Sequence, residues 1–145
     1  MKLLPLSLLF VCLTTCVLSA DESLPEFKRL PHWRQHEKCL PFSYECLEAL
    51  HAKGIPATQI FYKWQQAGEH GEDSGFHAAV LFQHKGKFWF MDNTRFAPRE
   101  VTAKTDHGCI MQTQPSKLVF ITLVDRWGNK QPTRLLSDRF RKAGI

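Results

Sequence analysis

The chain has 145 residues, of which 43% are hydrophobic and 23% charged, and its formal net charge is +5 at pH 7. This length corresponds to one folded domain with enough apolar residues to form a core without disulfide bonds. The basic excess is too small to indicate nucleic-acid binding, and the basic residues are scattered apart from one cluster at Arg134, Arg139, Arg141 and Lys142.

The first 20 residues have the pattern of a secretory signal peptide. Lys2 is their only charged residue, residues 3–17 are mostly apolar, and the small residues Ser19 and Ala20 follow. A charged start, a short apolar segment and a small-residue cleavage site are typical of such a peptide. Pro5 and two threonines make a membrane-spanning helix the weaker alternative, since a span needs about 20 apolar residues.

We therefore expect a signal peptide over residues 1–20 and a single domain over residues 21–145. The protein would be periplasmic or secreted, with no stable membrane insertion once the signal is removed. Residues 13–16, Leu-Thr-Thr-Cys, faintly resemble a bacterial lipoprotein signal that would anchor the chain at Cys16. Thr15 is a poor residue directly before a lipidated cysteine, so we favour the cleaved signal.

Removal of the signal leaves three cysteines, Cys39, Cys46 and Cys109. Exported proteins usually pair their structural cysteines, and an odd number leaves at least one thiol free or paired between chains. A disulfide between Cys46 and Cys109 is one alternative, and it would leave Cys39 as the free thiol. The sequence does not fix this connectivity.

A helix is predicted to begin at Cys39. The apolar residues that follow fall on one helical stripe: Cys39, Phe42, Cys46, Leu47 and Leu50. Pro41 suits the first turn, where its missing N–H has no cost, and Gly54 with Pro56 is a stop signal. The partial positive charge of a helix start favours a thiolate at Cys39.

The rest of the chain predicts mainly antiparallel strands, and hence an α+β layer architecture with a cysteine helix packed on an antiparallel sheet. The predicted strands are 57–64, 76–82, 87–91 and 117–124, with an arm at 21–38 that packs Trp33 onto the domain, polar loops at 66–75 and around Cys109, turns at 85–86 and 125–130, and a short helix at 133–142.

His77 lies inside an apolar strand, and a buried imidazole needs a polar partner. A hairpin that turns between residues 84 and 87 places Ala79 opposite Asp92, so Asp92 becomes a diagonal neighbour of His77, about 7–8 Å away. Taken singly, each residue has a structural reading: a small core cysteine, a core histidine and a turn aspartate. Together, Cys39, His77 and Asp92 supply the nucleophile, base and orienting group that thiol catalysis needs.

Three motifs in this order resemble the bacterial transglutaminase-like cysteine proteinases. They are Cys39 with a helix that ends in Ala52-Lys53-Gly54-Ile55-Pro56, then Phe76-His77-Ala78-Ala79-Val80-Leu81, then Phe90-Met91-Asp92-Asn93. The likeness covers about residues 33–95. It implies a papain-like or transglutaminase-like fold, and attack on an amide bond through an acyl-thioester by a Cys39, His77 and Asp92 triad.

Metals and cofactors are not expected. Lys38 and Leu40 flank Cys39, whereas members of that family often carry acidic residues there, some of which help to bind calcium. Hard cations need several oxygen ligands. His107 and Cys109 lack the second ligand pair that a zinc site requires.

The resemblance predicts an exported cysteine peptidase or amidase that acts on a peptide, a protein or a peptidoglycan stem. The alternatives are transglutaminase-type acyl transfer by the same triad, and a catalytically degenerate family member that only binds peptides. The candidate oxyanion donors are the Cys39 backbone N–H, the Gln35 side chain and the Trp33 indole. The sequence leaves the natural substrate and the oligomeric state open.

Overall fold

A computed structural model of the chain describes residues 23–68, 71–113 and 119–141. The predicted signal peptide and Cys16 lie outside the described residues. The elements in the described part are a 3-10 helix at Phe27–Arg29, the helices α1 (Cys39–Ala52), α2 (Asp106–Thr113) and α3 (Leu136–Arg141), and the strands β1 (Ala57–Gly68), β2 (Gly71–His84), β3 (Lys87–Met91), β4 (Arg99–Val101) and β5 (Val119–Val124). The predicted α+β class is confirmed.

The strands form one antiparallel sheet in the order β4-β3-β2-β1-β5. The predicted strands at 57–64, 76–82 and 87–91 are confirmed, and β2 is central because its residues 78–82 are buried on both faces. Lys85 and Gly86 have φ values of 51° and 73°, as the two-residue turn of a tight hairpin requires. No helix among the described residues is both long and apolar enough to cross a membrane.

The two faces of the sheet carry separate hydrophobic clusters, because successive side chains of a strand point to opposite faces. Helix α1 covers one face, where the buried side chains include Phe42, Cys46, Leu50, Val80, Phe82 and Met91. Helices α2 and α3 cover the other, where they include Ile60, Ala79, Leu81, Phe90, Cys109, Ile110 and Phe140. The predicted packing of the cysteine helix on an antiparallel sheet is confirmed, and Trp33 of the arm packs against the α1 cluster.

The alternative of a disulfide between Cys46 and Cys109 is wrong. Cys39, Cys46 and Cys109 are free thiols. Cys46 belongs to the α1 cluster and Cys109 to the opposite one, so the whole sheet separates the two sulfurs.

The loop predicted over residues 66–75 is wrong as well. Strand β1 continues to Gly68 and β2 begins at Gly71, and their pairing runs through Gln66 opposite Asp73. This end of the hairpin extends past the hydrophobic clusters, and the side chains of Gln65, Gln66, Asp73 and Ser74 are exposed. The apolar alternation that marks a strand in the sequence is therefore missing, although the main-chain hydrogen bonds continue.

Cys109 lies in helix α2 and not in the predicted loop. Thr105 caps this helix, because its Oγ1 accepts a hydrogen bond from the N–H of Gly108 at 3.1 Å. Gly108 obscured the helix in the sequence, since glycine is a poor helix former. The structure explains it: a Cβ at Gly108 would lie 2.9 Å from Thr105 Oγ1 and 3.0 Å from the Ala103 Cβ.

The strand, the turn and the helix predicted for the last part of the chain are all present among the described residues. Within the described residues, β5 begins at Val119, and it is an edge strand that pairs with β1 alone, with Phe120 strongly exposed. The loop at 125–129 turns as predicted, closed by a bond from the Asp125 N–H to the Asn129 carbonyl. Helix α3 begins at Leu136, later than residue 133, and Lys142 lies outside the described residues.

Candidate active site

The thiol of Cys39 lies at the first residue of α1 and is partly buried. The first turn of a helix leaves backbone N–H groups without intrahelical acceptors. Pro41 removes one of these groups, and the N–H of Leu40 donates to the Cys39 sulfur. The start of the helix therefore places donors around the sulfur, as the sequence signals predicted.

The open edge of β2 brings Cys39 against the sheet. Strand β3 pairs with β2 only from Val80 to His84, so the earlier part of β2 has no strand on that side. The start of α1 fills the space beyond the end of β3, and the Ala78 backbone N–H donates to the Cys39 sulfur. The nucleophile candidate is thus fixed to the main chain of the strand that carries His77.

His77 and Asp92 meet as the predicted hairpin register requires. Val80 faces Met91, which carries Ala79 opposite Asp92, and His77 Nε2 lies 3.2 Å from Asp92 Oδ2. A hydrogen bond also joins the His77 side chain to the Cys39 thiol. Because Nε2 faces Asp92, Nδ1 is the ring nitrogen that remains for the thiol. The structure therefore brings the three predicted residues together.

A dense set of donors holds the Asp92 carboxylate, which is only 4% exposed. The backbone N–H and Oγ1 of Thr94 both donate to Oδ1, at 2.9 and 2.6 Å. The Arg95 Nε lies 3.7 Å from Oδ2. Thr94 and Arg95 were not predicted as site residues, because only the turn after β3 brings them back to the carboxylate.

The environment favours a thiolate–imidazolium pair. Burial raises the pKa of the Cys39 thiol, but the hydrogen bonds from His77 and from the Ala78 backbone, with the charge of His77, outweigh burial and hold it below the ordinary 9.0. Burial lowers the pKa of His77, yet the hydrogen bonds and charges of Asp92 and Cys39 raise it from 6.5 to about 9. Burial also raises the pKa of Asp92, and His77, Thr94 and Arg95 bring it below 3.8.

The other two thiols lack this environment. Burial alone raises the pKa of Cys46 to about 12. Burial, together with the charge of Asp106, raises the pKa of Cys109 to about 11. Cys39 is therefore the thiol, among those described, whose surroundings favour the nucleophilic form.

The three candidate oxyanion donors have different positions. The Trp33 indole N–H donates to the Arg95 carbonyl at 3.1 Å, which removes it from the candidates. Gln35 lines the same cleft as Cys39, and its Nε2, which carries two N–H groups, donates to the Pro31 carbonyl at 2.8 Å. The Cys39 N–H, in the first turn of α1, and the second N–H of Gln35 remain available for an oxyanion.

A cleft of about 730 Å³ opens beside the sulfur. Its lining includes residues 34–37 and, from β2, Asp73 and residues 75–77. The Trp64 indole packs against Gly75 closely enough that a Cβ there would lie 2.8 Å from the ring. Gly75 could not be singled out from the sequence, because its contact with Trp64 depends on the hairpin pairing that the loop prediction missed.

The turns before Cys39 are fixed by the loop that follows β3. Arg34 and Glu37 have φ values of 57° and 58°, which non-glycine residues adopt at a cost of order 1 kcal/mol. The Asn93 side chain donates to the Gln35 carbonyl at 2.7 Å. This contact, with the bond from Trp33 to Arg95, fixes one side of the cleft relative to the carboxylate.

No group of three or more His, Cys, Asp or Glu side chains in the described ranges is arranged to hold a metal ion. In comparisons with known proteins, no family model, no curated protein and no solved structure matched the chain significantly. The chemistry of the site is therefore argued from its own atoms.

Proposed function

We propose that the chain is an exported cysteine peptidase or amidase of the transglutaminase-like type. Cys39 is the nucleophile, and His77 is the general base and general acid. Asp92 orients the His77 ring and stabilises its protonated form. The observation that carries the proposal is the arrangement of thiol, imidazole and carboxylate beside an open cleft, because activated thiols are recognised by this arrangement.

The reaction follows from the charge state of the pair. The Cys39 thiolate forms a C–S bond to the amide carbonyl carbon, and the His77 imidazolium gives its proton to the leaving nitrogen as the C–N bond breaks. Neutral His77 then takes a proton from water, whose oxygen attacks the thioester. The C–S bond breaks and the thiolate–imidazolium pair is restored. We assign the stabilisation of the oxyanion in both steps to the Cys39 N–H.

Thiol labelling tests the nucleophile. Chloroacetamide at pH 7 should alkylate Cys39 selectively, since a pKa below 9.0 increases the thiolate fraction at that pH, by about tenfold for the first unit. His77→Ala should slow this labelling at least tenfold. Cys46 and Cys109 serve as internal controls, and labelling that favours either of them in the folded protein contradicts the proposal.

Measurements of amide turnover distinguish hydrolysis, acyl transfer and peptide binding without catalysis. A panel of peptide amides with and without added amine distinguishes hydrolysis from acyl transfer, because the amine competes with water for the same thioester. Fast, His77-dependent labelling without turnover of any amide would instead indicate a degenerate binding protein. Export is tested by expressing the full chain in bacteria and sequencing the N-terminus of the product outside the cytoplasm, which we expect to begin near Asp21.

A further inference from the structure

The free edge of β2 next to Cys39 offers unpaired main-chain groups. Strand β2 pairs with β1 from Gly71 to Phe82. On its other side the pairing with β3 stops at Val80. Residues 73–78 therefore form a sheet edge, and residues 73 and 75–77 of that edge line the cleft.

The contact between Ala78 and the Cys39 thiol shows which main-chain groups of β2 point away from β1. Because the Ala78 N–H donates to the Cys39 sulfur, the main chain of Ala78 points away from β1. Main-chain direction alternates along a strand, so the N–H and C=O groups of Phe76 and Ser74 point the same way. The two-residue turn between His84 and Lys87 leads to the same result. The residues that flank such a turn form a hydrogen-bonded pair, so the main chain of His84 points away from β1, and so does that of every second residue before it.

These groups have no partner on that side within the described residues. Unpaired sheet edges are templates for a further strand, and native proteins usually cover or block them. This edge instead lies uncovered beside the candidate nucleophile. Residues 34–37 line the same cleft.

We propose that the substrate is an extended polypeptide that docks as an added strand on the β2 edge, through the main-chain groups of Ser74 and Phe76. It would lie beside Ser74 and Phe76, beyond the start of α1, about 4.8 Å from β2. The scissile carbonyl then meets Cys39 at the point where the edge ends. This inference rests on the proposed function and selects an extended polypeptide over a small isolated amide.

Main-chain docking gives affinity with little sequence preference, and side-chain pockets then add specificity. Gly75 carries no side chain between the cleft and the Trp64 indole. A side chain of the docked strand that points to this face therefore lies on the indole, which favours apolar or aromatic residues at that position.

Electrophilic peptides test the docking. One randomised tetrapeptide pool carries a C-terminal chloromethyl ketone. Its minimal reagent, which has the same reactive group but no peptide, is chloroacetone. A second pool carries an N-terminal chloroacetyl group, with chloroacetamide as its minimal reagent. We expect one pool to alkylate Cys39 at least tenfold faster than its own minimal reagent, and the faster pool reports the direction of the docked strand.

Ser74→Pro and Ser74→Ala form the matched pair of variants. Proline at an edge position removes an N–H that faces solvent and leaves the ladder to β1 intact, whereas alanine keeps the N–H. We expect Ser74→Pro to abolish the tenfold acceleration and Ser74→Ala to keep it, with circular dichroism confirming both folds. N-methylation of the peptide pool should have the same effect as Ser74→Pro.

The outcomes separate the two proposals. If the minimal reagents leave Cys39 unreacted, the thiol chemistry of the proposed function fails, and the docking inference fails with it. If they react but neither pool is faster, or if Ser74→Pro retains the acceleration, strand docking is overturned while the proposed function stands.

Discussion

Replacing Asp92 with asparagine tests how the carboxylate sets the charge state of the site. Burial lowers the pKa of His77, and Asp92 and Cys39 together raise it from 6.5 to about 9. That rise corresponds to about 3 kcal/mol in favour of the imidazolium. Asparagine keeps an acceptor oxygen for the ring but removes the charge, so it isolates the electrostatic part of this stabilisation.

The expected change has a definite sign. A nearby opposite charge shifts a pKa by about 1–3 units, so the pKa of His77 should fall from about 9 towards 6.5 in Asp92→Asn. The pKa of Cys39 should rise, because its imidazolium partner is less stable. The pH range in which thiolate and imidazolium coexist therefore narrows from both sides.

Two measurements follow these changes. Nuclear magnetic resonance of ¹³C-labelled histidine gives the titration of His77, with His77→Gln to assign the signal, and the pH dependence of chloroacetamide labelling gives that of Cys39. For turnover of a peptide amide, we expect Cys39→Ala to remove covalent chemistry and His77→Ala to be nearly as damaging. Asp92→Asn should be milder, roughly 10–100-fold, since cysteine triads accept an amide in this role.

An unchanged His77 titration in folded Asp92→Asn would refute this account of the raised pKa. A labelling profile that superimposes on the wild-type profile would refute the coupling between the carboxylate and the thiol. Full activity in folded Cys39→Ala would show that another group is the nucleophile.

Three further predictions concern packing and metals. Gly75→Ala should displace the Trp64 indole, because the new Cβ would lie 2.8 Å from the ring, and we expect a lower kcat/KM on peptides with little change in chloroacetamide labelling. Gly108→Ala should lower the free energy of unfolding in urea by about 1 kcal/mol. Overpacking against Thr105 costs about 1–3 kcal/mol, which exceeds the gain of up to about 1 kcal/mol in helix propensity. A stabilised variant would contradict the close contact with Thr105. Chelation with EDTA should leave turnover unchanged, and activity that calcium restores after chelation would contradict the expectation of a metal-free site.

The part of the site that depends on local signals could be predicted from the sequence. Proline and glycine mark the ends of α1 and so place Cys39, and the turn at Lys85 and Gly86 fixes the register that joins His77 to Asp92. These relations extend over a single helix or a single hairpin, where periodicity and turn chemistry decide the structure.

The contacts between distant segments could not be predicted in this way. The position of Cys39 against β2 depends on where β3 ends, and the engagement of the Trp33 indole depends on the path of the loop that contains Arg95. Such contacts exist only once the segments pack together.

The site is assembled from both sides of the sheet, and this links chemical reactivity to folding. Cys39 belongs to the helix that covers one face, whereas the side chains of His77 and Asp92 have the strand parity of Ala79, Leu81 and Phe90, which lie in the cluster of the other face. An intermediate in which α1 has not docked on the sheet would leave the Cys39 thiol without its charged partner. By this account, the thiol gains its lowered pKa only when α1 packs against β2.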